Sequence, residues 1–272
     1  MTTIAAATLA APDTLPTSVL LDRADVTAVS VVREDLVTLV QRFGSLYDWA
    51  SQQPQAQALR GRAPVYVATL PLSGVRVVVR HAWHGGLLAP LTGDRFLRPS
   101  RAPVEMLRSA ALRAAGIPTT PVLGFVRYHA GPGLIRVDVV SQYVADTADL
   151  GMVLAGLAPD MECAQALDAT RQLLRLLAQH GVTHPDLNVK NILLRPTRAH
   201  GQVGPLEALV IDVDVVHWDR TRTQQNTMER NLTRLTRSMR KWRRHFGCDL
   251  ADLRIQQFAE AARADLTCGP PA

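Results

Sequence analysis

His184-Pro-Asp-Leu-Asn-Val-Lys-Asn-Ile-Leu-Leu194 follows a strongly periodic run and leads into two apolar ones. The run before it, 160–180, carries Leu167, Leu173, Leu174, Leu176 and Leu177 at helical spacing and ends on His180-Gly181. The runs after it, Ile192–Leu194 and Leu206–Asp212, read as strands. Within the loop, Asp186 and Asn191 stand five residues apart, and the second strand closes on Ile211-Asp-Val-Asp214. A loop carboxylate can take the proton of an attacking hydroxyl. An amide set back on the same loop, with an aspartate at a strand end, can hold a metal ion against phosphates. Asn188 is placed to steady Asp186.

The same order and spacing occur in protein kinases, whose catalytic loop reads H-R-D-x-x-x-x-N and whose D-F-G aspartate binds magnesium. Here Asp212-Val213-Asp214 lacks the Phe and Gly. Either motif alone is commonplace; the two in order, with a helix before and strands between, are specific. A kinase also needs a cation on an N-terminal strand and a carboxylate on the following helix. Val75-Arg-Val-Val-Val-Arg80 ends in Arg80 rather than Lys, and the next helix offers Glu105. Arginine keeps the charge and adds a bidentate fork. The glycine-rich loop is poor, since Gly61-Arg-Ala-Pro-Val-Tyr66 has one glycine where three are usual.

Working outward, residues 1–30 show little pattern, and 33–43 have helical spacing. A polar stretch over 51–62 precedes two β runs, Val65–Leu70 and Val75–Arg80, joined by the turn Pro71-Leu-Ser-Gly74. A helix is predicted over Pro103–Ala115, stopped by Gly116 and Pro118, and a long strand over Leu134–Val144. Strands first and helices second predict two lobes with a boundary near Ser141–Asp149, and the resemblance of the motifs to those of kinases implies an α+β, protein-kinase-like fold. The expected division is an extension over 1–50, a small β-rich N-lobe over 51–145 and a helical C-lobe over 146–272.

Of 272 residues, 30 are Lys or Arg and 24 are Asp or Glu, a net charge of +6. Residues 220–244 hold nine basic residues against one acid, Glu229, so this one segment makes the chain basic. Arg230, Arg234, Arg237, Lys241 and Arg244 step by three and four along one helical face; Leu232, Leu235, Met239, Trp242 and Phe246 do so on the other. Such a ridge is either a solvated face or a surface for anions. Nucleic acid is disfavoured because no stacking aromatics interleave with the basic face. Cys163, Cys248 and Cys268 are too few and scattered for a disulfide framework or a zinc site, which fits a reducing compartment. No stretch approaches the roughly 18–20 apolar residues of a membrane span. Met1–Ala11 has no basic lead, so a frayed terminus is expected there rather than a secretory signal.

Taken together, the motifs resemble the lipopolysaccharide core kinases, which include the 3-deoxy-D-manno-octulosonic acid (Kdo) kinases and the heptose kinases. The resemblance rests on Arg80-His-Ala-Trp-His-Gly-Gly-Leu-Leu-Ala89, Gly93-Asp-Arg-Phe96, the Glu105 helix, Gly116-Ile-Pro-Thr119, the 184–193 loop, Ile211–Asp214 and Asn231–Lys241. It covers roughly 60–245 and is closer to the Kdo branch. Pro185, Val213 and His84 depart from the family's usual residues without removing a catalytic group. The resemblance implies an ATP-dependent sugar kinase acting on a Kdo hydroxyl, the 4-position in the family, of a lipid A precursor. It implies a peripheral protein on the cytoplasmic side of the bacterial inner membrane. ATP is expected between the lobes, its adenine against Gln142–Val144, with Arg80 on the phosphates oriented by Glu105. Asn191 and Asp212 are expected to hold Mg2+, Asp186 to act as base, and Arg234, Arg237 and Lys241 to face the anionic acceptor or membrane. The alternatives are a heptose, other small-molecule or protein kinase on the same scaffold, or a pseudokinase without turnover.

Overall fold

The structure is a computed structural model describing residues 15–54, 57–59, 64–83, 93–97, 100–199, 202–246 and 251–266. The chain divides into two units: residues to 98 with 123–140, and 99–122 with 141 onward. Gly61, the Gly85-Gly86 pair, His84, Cys248 and Cys268 lie outside the described residues.

The first unit is built on one sheet. Strands β1 (Thr17–Leu20), β2 (Ala24–Ala28), β3 (Gln57–Leu59), β4 (Val65–Thr69), β5 (Arg76–His81), β6 (Phe96–Leu97), β7 (Val122–His129) and β8 (Leu134–Gln142) supply it. Their order is β1-β2-β7-β8-β5-β4-β3, with β6 on β8. The expected hairpin is present: β4 and β5 pair antiparallel with Tyr66 opposite Val79, and Gly74 takes the left-handed conformation at its turn. Helix α1 (Ser30–Phe43) covers the sheet with Val32, Leu36, Leu39 and Val40. Its buried Asp35 accepts the backbone N–H groups of Leu72 at 2.7 Å and Ser73 at 2.9 Å, so the helix holds the hairpin turn by a charge-assisted pair. A short helix, α2 (Leu46–Ser51), follows, capped by Ser45.

Residues 1–30, which show little pattern in sequence, hold β1 and β2. The side chains of β2 are small and two are polar, so hydropathy gives no signal there. All five are buried because β7 pairs alongside and α1 packs over them. Gly124 on β7 permits that closeness, since a Cβ there would meet Thr27 O at 2.8 Å and Leu36 Cδ1 at 3.0 Å.

The second unit contains α3 (Ala102–Ala114), α4 (Leu150–Leu154), α5 (Cys163–Gln179), α6 (Gln224–Phe246) and α7 (Asp252–Ala264). Strands β9 (Ala148–Asp149), β11 (Ile192–Ala199) and β12 (Gln202–Val210) form one small sheet, and β10 (Val182–Thr183) pairs with β13 (His217–Trp218). Leu173, Leu174 and Leu177 of α5 meet Leu232, Leu235 and Met239 of α6 and Ile255 and Phe258 of α7 in one core. The close-set cations of α6 repel one another by about 0.2–0.5 kcal/mol per pair. Each buried Leu or Met returns about 1.5–3 kcal/mol, so burial wins and the helix forms.

Three expectations change here. The basic helix does not close the chain, because α7 follows and packs on it. Phe246, expected on the buried face, is 48% exposed. The strand expected to run to Asp212 stops at Val210. The α+β class expected from the sequence is found, with a sheet-built first part and a helical second part.

Candidate active site

His184 is fully buried and organises the loop that carries Asp186. Its Nδ1 accepts the backbone N–H of Asp186 at 3.2 Å, which places the ring proton on Nε2, where it is donated to the Ile211 carbonyl at 3.0 Å. One neutral imidazole thus ties the loop to the residue preceding Asp212. A second tie runs from Ile211 N–H to the Asn191 carbonyl at 3.0 Å. The β11–β12 ladder, with Ile192 opposite Val210, is the third. These links bring Asp186, Asn191 and Asp212 together within the second unit.

Inside the loop, the Asn188 and Asn191 amide nitrogens both donate to the Asp186 carbonyl at 2.9 Å. Asn188 Oδ1 accepts from Lys190 N–H at 2.9 Å. The Asp186 carboxylate is left exposed. Asn191 is buried, and with its amide nitrogen committed its oxygen is the atom available to a cation. Burial pushes the His184 imidazole below its ordinary range, against the Ile211 hydrogen bond and the charges of Asp212, Asp186 and Asp214.

Asp212 sits in the left-handed region at φ 56°, where the chain leaves β12 and enters a one-turn 3-10 helix over Val213–Val215. A non-glycine residue held there costs about 1–3 kcal/mol and persists only where the surroundings fix it. Helix α3 is part of those surroundings. Arg101 reaches the Asp214 carboxylate at 3.4 Å and Arg108 donates to the Asp214 carbonyl. Glu105 lies between them at helical spacing on the same face, buried. Glu105 therefore belongs to the second unit, as Asp212 does; Arg80 belongs to the first.

Helix α6 is the backing of the loop, a role sequence reasoning missed. Asn231 accepts His184 N–H at 3.1 Å and donates to Val182 O at 2.9 Å. Ser238 accepts Val189 N–H at 3.2 Å. Trp242 lies under Lys190, whose Nζ is 5.2 Å from the ring centroid. The spacing 231, 238, 242 is one helical face, and this periodicity is the signal that could have revealed it. Arg234, Arg237 and Lys241 are exposed. Arg240 and Arg243, by contrast, turn to Asp252 of α7.

The remaining expected residues are found as follows. Arg80 is the penultimate residue of β5, half-buried. Gln142 ends β8 and donates its N–H to Pro121 O at 2.8 Å, and the Val144 carbonyl accepts from Thr147 Oγ1 at 3.2 Å. Beside Arg80, His81 is held at both nitrogens, by Asp138 at 2.5 Å and Asp94 at 3.2 Å. Asp138 is fully buried and also accepts Tyr47 N–H at 3.0 Å and Tyr128 O–H at 2.9 Å. Burial opposes the charge on His81, but the hydrogen bonds and charges of Asp138 and then Asp94 overcome it and raise its pKa.

The two histidines therefore have opposite pH dependence. His81 adds stability fully present below its ordinary 6.5, lost as pH rises through its raised folded value. His184 adds stability fully present above 6.5, lost as pH falls from there through its lowered folded value. Hydrogen exchange corrected for intrinsic rates is expected to show Tyr47 N–H losing protection on the alkaline side and Asp186 N–H on the acid side. Parallel loss at both amides would contradict this assignment.

With the geometry in hand, comparison with known proteins is decisive. The family model described as "Lipopolysaccharide kinase (Kdo/WaaP) family" matches residues 47–263. The chain belongs to that family. Among its curated relatives, a 3-deoxy-D-manno-octulosonic acid kinase of Mannheimia succiniciproducens is 28% identical over 235 residues, covering 84% of this chain and 90% of the relative. The kinase of the same name from Haemophilus influenzae (strain Rd) is 27% identical over 80% of this chain and 86% of its own. That from Xanthomonas oryzae pv. oryzae is 29% identical over 67% and 68%. A solved structure titled "WaaP in complex with acyl carrier protein" aligns over 84% of this chain and 96% of its own, at 16% identity and a TM-score of 0.42. As a member of the Kdo/WaaP family the chain is a phosphotransferase of lipopolysaccharide biosynthesis, and its element order is kinase-like. Among the described residues, no helix is long and apolar enough to cross a membrane.

Proposed function

We propose that this chain transfers the γ-phosphate of ATP to the 4-hydroxyl of a Kdo residue on a lipid A precursor. The observation that carries the reading is the gathering of Asp186, Asn191 and Asp212 by the His184–Ile211 tie, in a chain of the Kdo/WaaP family. The exposed Asp186 carboxylate orients the sugar hydroxyl and takes its proton as the oxygen attacks phosphorus. Arg80 serves the nucleotide phosphates, and the segment Gln142–Val144 serves the adenine. Arg234, Arg237 and Lys241 face the anionic lipid surface, which suits a peripheral enzyme on the cytoplasmic side of the inner membrane.

Magnesium fits the donor set. Among the described residues no group of three His, Cys, Asp or Glu side chains could cage a metal ion. Magnesium needs no cage: it binds through one or two protein oxygens plus waters and phosphate oxygens. The Asn191 amide oxygen and the Asp212 carboxylate are such oxygens, and the ion, when bound, neutralises charge on the phosphates. Asp212→Ala is expected to weaken nucleotide binding in the presence of Mg2+ by about 10- to 100-fold, the range for losing a metal-supporting group. Metal-free binding is expected to be unchanged. Equal losses with and without Mg2+, read by calorimetry, would remove Asp212 from this role.

The acceptor is tested by incubating the protein with ATP, Mg2+ and parallel lipid A precursors bearing Kdo alone or Kdo plus heptose. Gain of one phosphate on the Kdo-only precursor is expected. Gain on the heptose-bearing precursor alone would make this a heptose kinase.

A further inference from the structure

Lys190 lies between the proposed base and the metal-binding amide, four residues after Asp186 and one before Asn191. The two neighbours diverge. The Asn191 side chain turns to the Asp186 carbonyl, whereas the Lys190 ammonium reaches to α6, 5.2 Å from the Trp242 ring centroid.

Trp242 is unusually well fixed. Its Nε1 donates to Gly151 O at 2.8 Å, and Phe246 stacks on it with centroids 4.2 Å apart. The absence of a side chain at Gly151 is what admits the indole, since a Cβ there would lie 2.8 Å from Trp242 Cε2 and Cζ2. An exposed lysine ordinarily spends rotamer entropy on any ligand it meets. Lys190 is aimed in advance by a rigid ring whose face attracts its charge.

Lys190 is exposed and forms no ion pair with a carboxylate among the described residues. The carboxylate that feels it, Asp149, is engaged in capping α4 through Met152 N–H at 2.8 Å. On α6 itself, Arg234 and Lys241 lie next to the face formed by Ser238 and Trp242, on one side of it. Lys190 thus stands on the same loop as the proposed base, four residues on, with its ammonium turned to α6 while the Asn191 amide turns to the Asp186 carbonyl.

We propose that Lys190 is an acceptor-binding residue whose ammonium receives the carboxylate of a sugar acid. This rests on the reading of the chain as a Kdo kinase and adds the group that selects an acidic sugar.

The test compares wild type with Lys190→Met and Lys190→Arg. In turnover of the Kdo-bearing lipid precursor, Lys190→Met is expected to raise the acceptor KM by about 10- to 100-fold, the range of one charge-assisted hydrogen bond. The KM for ATP is expected to stay unchanged, and Lys190→Arg to recover part of the loss. An unchanged acceptor KM, or a shift in the KM for ATP instead, overturns the proposal. A second readout needs no turnover: tryptophan fluorescence titrated with free Kdo and with its methyl ester, which lacks the charge. Wild type is expected to respond to the acid and not the ester, and Lys190→Met to neither. Equal responses to acid and ester, or none to either, overturn it. If wild type responds to the acid yet phosphorylates no Kdo-bearing lipid, the kinase reading fails and the carboxylate subsite stands.

Discussion

Asp186→Asn is expected to keep the fold and lower kcat by about 10²–10⁴-fold, the usual contribution of a general base. The structure explains why the two effects separate. The Asp186 bonds that shape the loop are made by its backbone: the N–H to His184, and the carbonyl from Asn188 and Asn191. Its carboxylate is exposed, and an amide of the same shape leaves those bonds in place while losing the ability to take a proton. Thermal unfolding and the KM for ATP should match wild type. A variant that keeps more than half of wild-type turnover would show that Asp186 is not the base.

The second large effect concerns α6. Changing Arg234, Arg237 and Lys241 together to Gln is expected to weaken attachment to anionic vesicles by about a hundredfold at low salt. Each basic residue near an anionic surface contributes about 1 kcal/mol, and three such contributions multiply to that factor. All three side chains are exposed, and none forms an ion pair among the described residues, so their charge is free to act outward. The buried Leu232, Leu235 and Met239 keep the helix in place without them. At high salt the difference should shrink, because screening already weakens wild type. ATP binding should be unaffected. A triple variant that sediments with vesicles as wild type does would make the ridge a solvated face.

Local signals were legible in the sequence. Five-residue spacing marked Asp186 and Asn191, leucine periodicity marked α5, and a Pro–Gly turn marked the β4–β5 hairpin. Each depends on neighbours in the chain, so the residues themselves carry it. What was not legible depends on distant partners. Strand β2 is recognisable only by its pairing with β7, about a hundred residues on, and by the absent side chain of Gly124. Asn231 and Ser238 look like ordinary polar interruptions of a basic helix until the loop they hold, 47 and 49 residues earlier, is placed against them. Spacing alone puts Trp242 on an apolar face; its position is set by Gly151, 91 residues away. The apolar pattern runs the strand on to Asp212, because periodicity cannot show that His184 and α3 hold the chain in a left-handed turn just beyond the strand's end.

The most direct measurement is the position of the new phosphate on the product made by wild type from ATP, Mg2+ and a Kdo-bearing lipid A precursor, read by phosphorus–proton correlation NMR. A phosphate ester at O-4 of Kdo is expected, absent from the product of Asp186→Asn. Phosphate on another sugar, on the protein alone, or no transfer at all would contradict it.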